Sequence, residues 1–176
     1  GYRSNLAAAI AAVRAVGVTQ NETDAIIPLL HTPPHRLENL GFCQDVQFFN
    51  DSISTIPETA LHAIKSISEA NGIIVGGFDR GLNQELIINE LRNNPQFLKI
   101  VCMGATGRKI YEALKIDLGA KVFLTDVLLD AVEQILNTQG MKCCLFSPAA
   151  PSFGLYRNYE ERGDQLREIL NKLKNK

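Results

Sequence analysis

The chain lacks a charge excess of either sign. Its lysines and arginines (18) nearly balance its aspartates and glutamates (19), giving a formal net charge of −1, whereas a dedicated nucleic-acid binder would show a basic excess or stripe. No apolar run approaches the length of a membrane span, and no signal-peptide pattern is visible. We therefore expect a cytoplasmic protein with neither nucleic-acid nor membrane partners. The four cysteines, Cys43, Cys102, Cys143 and Cys144, form no CxxC pair and sit in or beside apolar runs. They read as reduced core thiols rather than as redox or metal groups. The three histidines show no HExxH or other metal-ligand spacing, so no metal ligand is expected in the chain. There is no GxGxxG fingerprint and no GxxxxGKS/T phosphate loop, which leaves the chain by itself without an obvious means of holding ATP phosphates.

What is present is an apolar content of 45% in 176 residues, enough for one well-packed domain with a piece of another attached. Residues 4–16 are Ala-rich and predict a helix stopped by Gly17. Thr19 and Glu22 have capping-box spacing and predict a second helix to about Leu30, disturbed by Pro28. Pro33-Pro34 then forces an extended linker. Beyond it, 37–42 and 46–49 read as two strands. From Pro57 the pattern becomes regular: helices over 57–70, 84–93, 106–115, 126–138 and 159–174 alternate with apolar strands over 72–75, 99–103, 121–124 and 142–146. That alternation predicts an α/β fold, with a mostly parallel Rossmann-like sheet covered by helices on both faces.

Three strand ends carry unusual chemistry: Asn50-Asp51-Ser52 with Thr55, Gly76-Gly77-Phe78-Asp79-Arg80-Gly81, and Ser147 to Phe153. In a parallel sheet all three loops emerge at one edge, where open α/β folds bind ligands. Together they offer a carboxylate, hydroxyls, an arginine and glycine-exposed N–H groups, a fair site for a small anionic ligand. Each taken singly is also an ordinary βα turn, where these residue types are common. Gly104 to Lys109 lacks phosphate-loop spacing and reads as such a turn. The charge-dense run from Arg157 to Asp164 reads, on pattern alone, as a solvated face.

The ordered set PPHRLE, NDSISTIPE, GGFDRG, SPAAPSF and YRNYEERGD resembles the C-terminal part of the Mur ligases, nearest their glutamate-adding members, over residues 4–170. The resemblance implies three domains in the whole enzyme. Residues 1–32 would be the last helices of the central ATP-binding domain, and 33–176 the C-terminal domain that receives the incoming amino acid. The chain opens inside a helical pattern, which fits a piece of a longer protein. The implied reaction is ATP-dependent amide formation in peptidoglycan synthesis, and hence in cell shape and division. The carboxylate of UDP-N-acetylmuramoyl-L-alanine becomes an acyl phosphate, and the glutamate amine attacks it. The catalytic residues and most contacts to ATP and Mg2+ would lie outside this chain, which alone is expected to be inactive and monomeric.

Carried over residue by residue, the resemblance assigns Asn5, Arg36 and Asp51 to ATP. It assigns Thr55, Arg80, Ser152, Phe153 and Tyr159 to the amino-acid substrate, so Tyr159 is expected to leave the solvated face and turn toward the site. Four positions depart from the common pattern. Gly1 and Tyr2 stand where the HNxxN motif has His and Asn. Ile53 replaces a lysine after Asp-Ser. Arg80 replaces a lysine that contacts glutamate, keeping the charge but giving it a bidentate fork. An L-glutamate-adding variant of these ligases fits the same pattern. A non-catalytic Rossmann-like binding module and a ligase of the folylpolyglutamate-synthase kind remain as alternatives.

Overall fold

Local sequence signals and tertiary packing agree over most of the computed structural model, which describes residues 3–174. Gly1 and Tyr2, the broken part of the HNxxN motif, lie outside the described residues. The chain divides into two compact units, residues 1–33 and 34–176.

The first unit holds α1 (Arg3–Ala15) and α2 (Gln20–Ile26). The Thr19 hydroxyl caps α2 by accepting from the Glu22 N–H at 3.3 Å, and the Glu22 carboxylate accepts from the Thr19 N–H at 2.8 Å. Both halves of the capping box are thus present. Pro28 converts the last turn into a 3-10 helix over Ile27–Leu29, because it supplies no N–H for the α pattern.

The second unit is a six-stranded sheet in the order β1-β2-β6-β3-β4-β5. Its strands are β1 (Glu38–Cys43), β2 (Val46–Asn50), β3 (Gly72–Gly76), β4 (Lys99–Met103), β5 (Val122–Leu124) and β6 (Cys143–Phe146). Only β1 is antiparallel, paired to β2 as a hairpin. The other four pairings are parallel. Every residue of β3 and of β6 is buried, as strands covered on both faces require.

Helices α3 (Pro57–Ser66), α4 (Glu85–Asn93) and α5 (Gly104–Leu118) pack a core of Ala60, Ile64, Ile87, Leu91, Ile110 and Leu114 against Ile73, Val75 and Ile100. The opposite face carries α6 (Leu128–Leu136) and α7 (Tyr159–Lys174), whose Val132, Ile135, Leu166 and Leu170 cluster with Phe48, Ile74, Val101 and Phe146. The change of face follows from the strand order. Successive steps β2 to β5 run one way across the sheet, and β6 returns to lie between β2 and β3, so a right-handed crossover puts its helix on the other side. The four cysteines are all free and buried. Burial pushes the thiols of Cys102 and Cys143 up to about 12, and that of Cys144 well above its ordinary value.

Several helix boundaries differ from the sequence reading. Helix α3 stops at Ser66, four residues short of Ala70. The Ser66 hydroxyl bonds back to the His62 carbonyl at 2.8 Å, and Ile67 leaves helical geometry. Helix α6 starts at Leu128 rather than Asp126, because the Asp126 carboxylate is engaged with the Gly104 N–H at 2.9 Å. Helix α5 is longer than expected at both ends, reaching from Gly104 to Leu118.

Gly163 lies inside α7 because nothing larger fits there. A Cβ would stand 2.3 Å from His35 Nδ1 and 2.9 Å from Asn50 Nδ2. Helix propensity alone would favour alanine by about 1 kcal/mol. Overpacking costs about 1–3 kcal/mol, and at 2.3 Å it dominates. Gly163→Ala should therefore lower the urea unfolding midpoint; an unchanged or raised midpoint would contradict this packing.

Candidate functional site

β2, β6 and β3 are neighbours in the sheet, so the three polar loops that follow them leave the carboxyl edge side by side. The β6 loop leads to one face of the sheet and its two neighbours lead to the other, which makes this edge a topological switch point. Two clefts open here. One, of about 230 Å³, is lined by Thr55, Arg80, Ser152, Phe153, Asn158 and Tyr159 among others. The second, of about 360 Å³, shares Ser152 and Phe153 and extends past Gly77 and Gly104 to Arg108, Asp126 and Arg162.

All five residues assigned from sequence to the amino-acid substrate thus surround the smaller cleft. Among the described residues, the side chains of Thr55, Arg80 and Ser152 make no hydrogen bond or ion pair. Their donors remain available to a ligand. Phe153 forms an edge-on pair with Phe78, with ring centroids 6.3 Å apart. Tyr159 packs edge-on against His35 at 6.1 Å.

The residues behind the cleft are spent on one another. Asp51 is 4% exposed; one carboxylate oxygen accepts from the Leu37 N–H at 3.2 Å and the other from the Ser147 hydroxyl at 2.7 Å. Burial pushes its carboxyl up to about 6, against the pull of those two bonds, the Arg36 charge and Ser54. Of the other residues assigned to ATP, Arg36 is half-buried beside this network and Asn5 is exposed on α1 of the first unit.

The sequence reading missed Arg162. Charge pattern alone groups it with a solvated run, yet it is 3% exposed. Its Nε donates to the Ser52 hydroxyl at 3.0 Å, Nη1 to the Ala150 carbonyl at 3.0 Å and Nη2 to the Ser52 carbonyl at 2.7 Å. Burial lowers its pKa to about 10, so it remains charged at neutral pH. The signal was there in the spacing: Arg162, Leu166 and Leu170 lie on one face of α7, the face that is buried.

No family model matches the chain. It is 36% identical to the UDP-N-acetylmuramoyl-L-alanine–L-glutamate ligase of Xanthomonas campestris pv. campestris (strain 8004), over 95% of this chain and 37% of the relative. It is 32% identical to the UDP-N-acetylmuramoylalanine–D-glutamate ligase of Aquifex aeolicus (strain VF5), over 96% of this chain and 40% of the relative. The chain is a homologue of the Mur ligases. It spans well under half the length of these relatives. The fold agrees: a crystal structure of MurF from Acinetobacter baumannii superposes with a TM-score of 0.69 over 98% of this chain and 37% of that one, at 17% identity.

No helix among the described residues of this Mur ligase homologue is long and apolar enough to cross a membrane. No three His, Cys, Asp or Glu side chains among the described residues gather closely enough to hold a metal ion.

The Asp51 carboxyl gives the site a pH signature. Its folded pKa lies above the ordinary 3.8, at about 6, so the folded state binds its proton more tightly than the unfolded state does. The resulting stability is full below about pH 4 and is lost as pH rises through about 6, an effect on the order of 3 kcal/mol. Asp51→Asn should flatten that part of the stability-against-pH curve in urea titrations from pH 4 to 7. An equal slope in the variant would show that Asp51 is not its source.

Proposed function

We propose that this chain is the amino-acid-receiving portion of an ATP-dependent ligase that joins glutamate to UDP-N-acetylmuramoyl-L-alanine in peptidoglycan synthesis. One observation carries the reading. The five residues whose motifs match glutamate-adding ligases line one cleft at the carboxyl edge of the sheet, and its polar side chains Thr55, Arg80 and Ser152 are unspent.

In this reading Arg80 forks onto a carboxylate of glutamate through parallel N–H groups. The Thr55 and Ser152 hydroxyls donate to the same or the second carboxylate, and the Tyr159 and Phe153 rings wall the methylene chain. The glutamate amine is thereby held toward the activated carboxyl of the UDP-linked substrate. ATP activates that carboxyl by transferring its γ-phosphoryl group to it, giving an acyl phosphate and ADP. Amine attack forms the amide bond and releases phosphate, and the chain's share of the rate is positioning rather than proton transfer.

On the nucleotide side, Arg36 and Asp51 are assigned to ATP in the second unit and Asn5 in the first. Each carboxylate oxygen of Asp51 accepts an internal bond and keeps acceptor capacity for a nucleotide donor. The 1–33 unit belongs, in this reading, to the ATP-binding domain, and the 34–176 unit is the amino-acid domain. In this reading the enzyme works in the cytoplasm.

The test uses the full-length ligase that carries this sequence. Phosphate should be released from ATP only when UDP-N-acetylmuramoyl-L-alanine and glutamate are both present, with the two glutamate enantiomers compared in parallel to assign the hand. Arg80→Ala removes a charge-assisted contact of about 1.5–3 kcal/mol and should raise the KM for glutamate at least about tenfold. An unchanged KM for glutamate would remove Arg80 from the substrate site.

A further inference from the structure

We infer that Arg162 is a positioning residue for glutamate. It touches no substrate in this scheme; it fixes the relative placement of the loops whose side chains do. The inference rests on the reading of the smaller cleft as the glutamate site.

The geometry points to a clamp with three jaws. Arg162 donates twice to Ser52, through Nε to its hydroxyl and through Nη2 to its carbonyl. Ser52 lies three residues before Thr55 in the β2–α3 loop. Nη1 donates to the Ala150 carbonyl, two residues before Ser152 in the β6–α7 loop. The Ser52 hydroxyl, having accepted from Arg162, donates to the Tyr159 carbonyl at 2.7 Å and so ties in the first turn of α7. One planar guanidinium thus sets the separation of Thr55, Ser152 and Tyr159. The Arg80 loop joins the same assembly by backbone: the Phe78 N–H donates to the Pro151 carbonyl at 2.8 Å. Gly77 lets the loops close, since a Cβ there would stand 2.3 Å from that carbonyl oxygen and 3.1 Å from Arg162 Nη1.

No carboxylate among the described residues pairs with Arg162. An arginine kept only to anchor α7 would be expected to take a counter-ion, as Arg167 does with Glu38 at 2.7 Å. Arg162 instead spends its fork on carbonyl and hydroxyl groups of the two site loops. Lysine keeps the charge at this position but has no planar fork to hold two loops in register.

The decisive measurement is the split between substrates in the full-length ligase. Arg162→Lys should raise the KM for glutamate about tenfold, as small misplacements of positioned groups do, with the KM values for ATP and UDP-N-acetylmuramoyl-L-alanine changed less than about twofold. Ser52→Ala, which empties little volume, should move the glutamate KM in the same direction by a smaller factor and serves if the lysine variant does not fold. An unchanged glutamate KM in the folded variants overturns the inference. So does an equal rise in all three KM values, which marks general loosening. Arg80→Ala is run alongside: if it leaves the glutamate KM unchanged, the cleft assignment itself falls, whatever Arg162 shows.

Discussion

A charged group removed from water without a counter-ion is costly unless it is hydrogen-bonded, and each of the three guanidinium nitrogens of Arg162 donates one bond, to Ser52 or Ala150. Each of those acceptors belongs to a loop, not to the regular sheet or helix ladder. The guanidinium is therefore tolerable only while the loops at the carboxyl edge of β2 and β6 are closed around it. Asp51 reinforces the arrangement from the other side of Ser52, linking the start of β1 to the end of β6 through Leu37 and Ser147. Polar groups at this edge thus fall into two populations, one consumed in building the edge and one facing outward for a ligand.

Hydrophobic periodicity made the fold legible. Apolar runs of four or five residues separated by amphipathic stretches leave few alternatives to a parallel sheet with helices on both faces, and β4 and α7 match their expected bounds. The boundaries that moved did so through side-chain competition for backbone groups. Ser66 turned its hydroxyl onto its own helix, and Asp126 was drawn to the N-terminus of α5. Such partners are set by tertiary proximity, which one-dimensional pattern does not carry.

The candidate site was legible by a different route. Single loops of Gly, Asp and Ser are uninformative, yet five motifs in order resemble the Mur ligases; the five residues they mark for the amino acid line one cleft, while Arg36 and Asp51 do not. What stayed hidden was the support behind it. Arg162 sits among Glu160, Glu161 and Asp164, and composition cannot tell a buried member of a charge cluster from its exposed neighbours. The helical face it shares with Leu166 and Leu170 distinguishes it. His35 was likewise passed over, although its ring packs against Tyr159 and leaves room at Gly163 for nothing beyond hydrogen.

The four cysteines carry a consequence of their own. They lie on β1, β4 and β6, which spread them across the width of the sheet, and every thiol is shut away from solvent and held in its protonated, unreactive form. Native protein is accordingly protected from alkylating reagents and oxidants at all four positions. Each sulfur becomes modifiable only when its strand opens, so the sheet carries an internal clock for its own breathing, read strand by strand from the order in which the thiols are labelled.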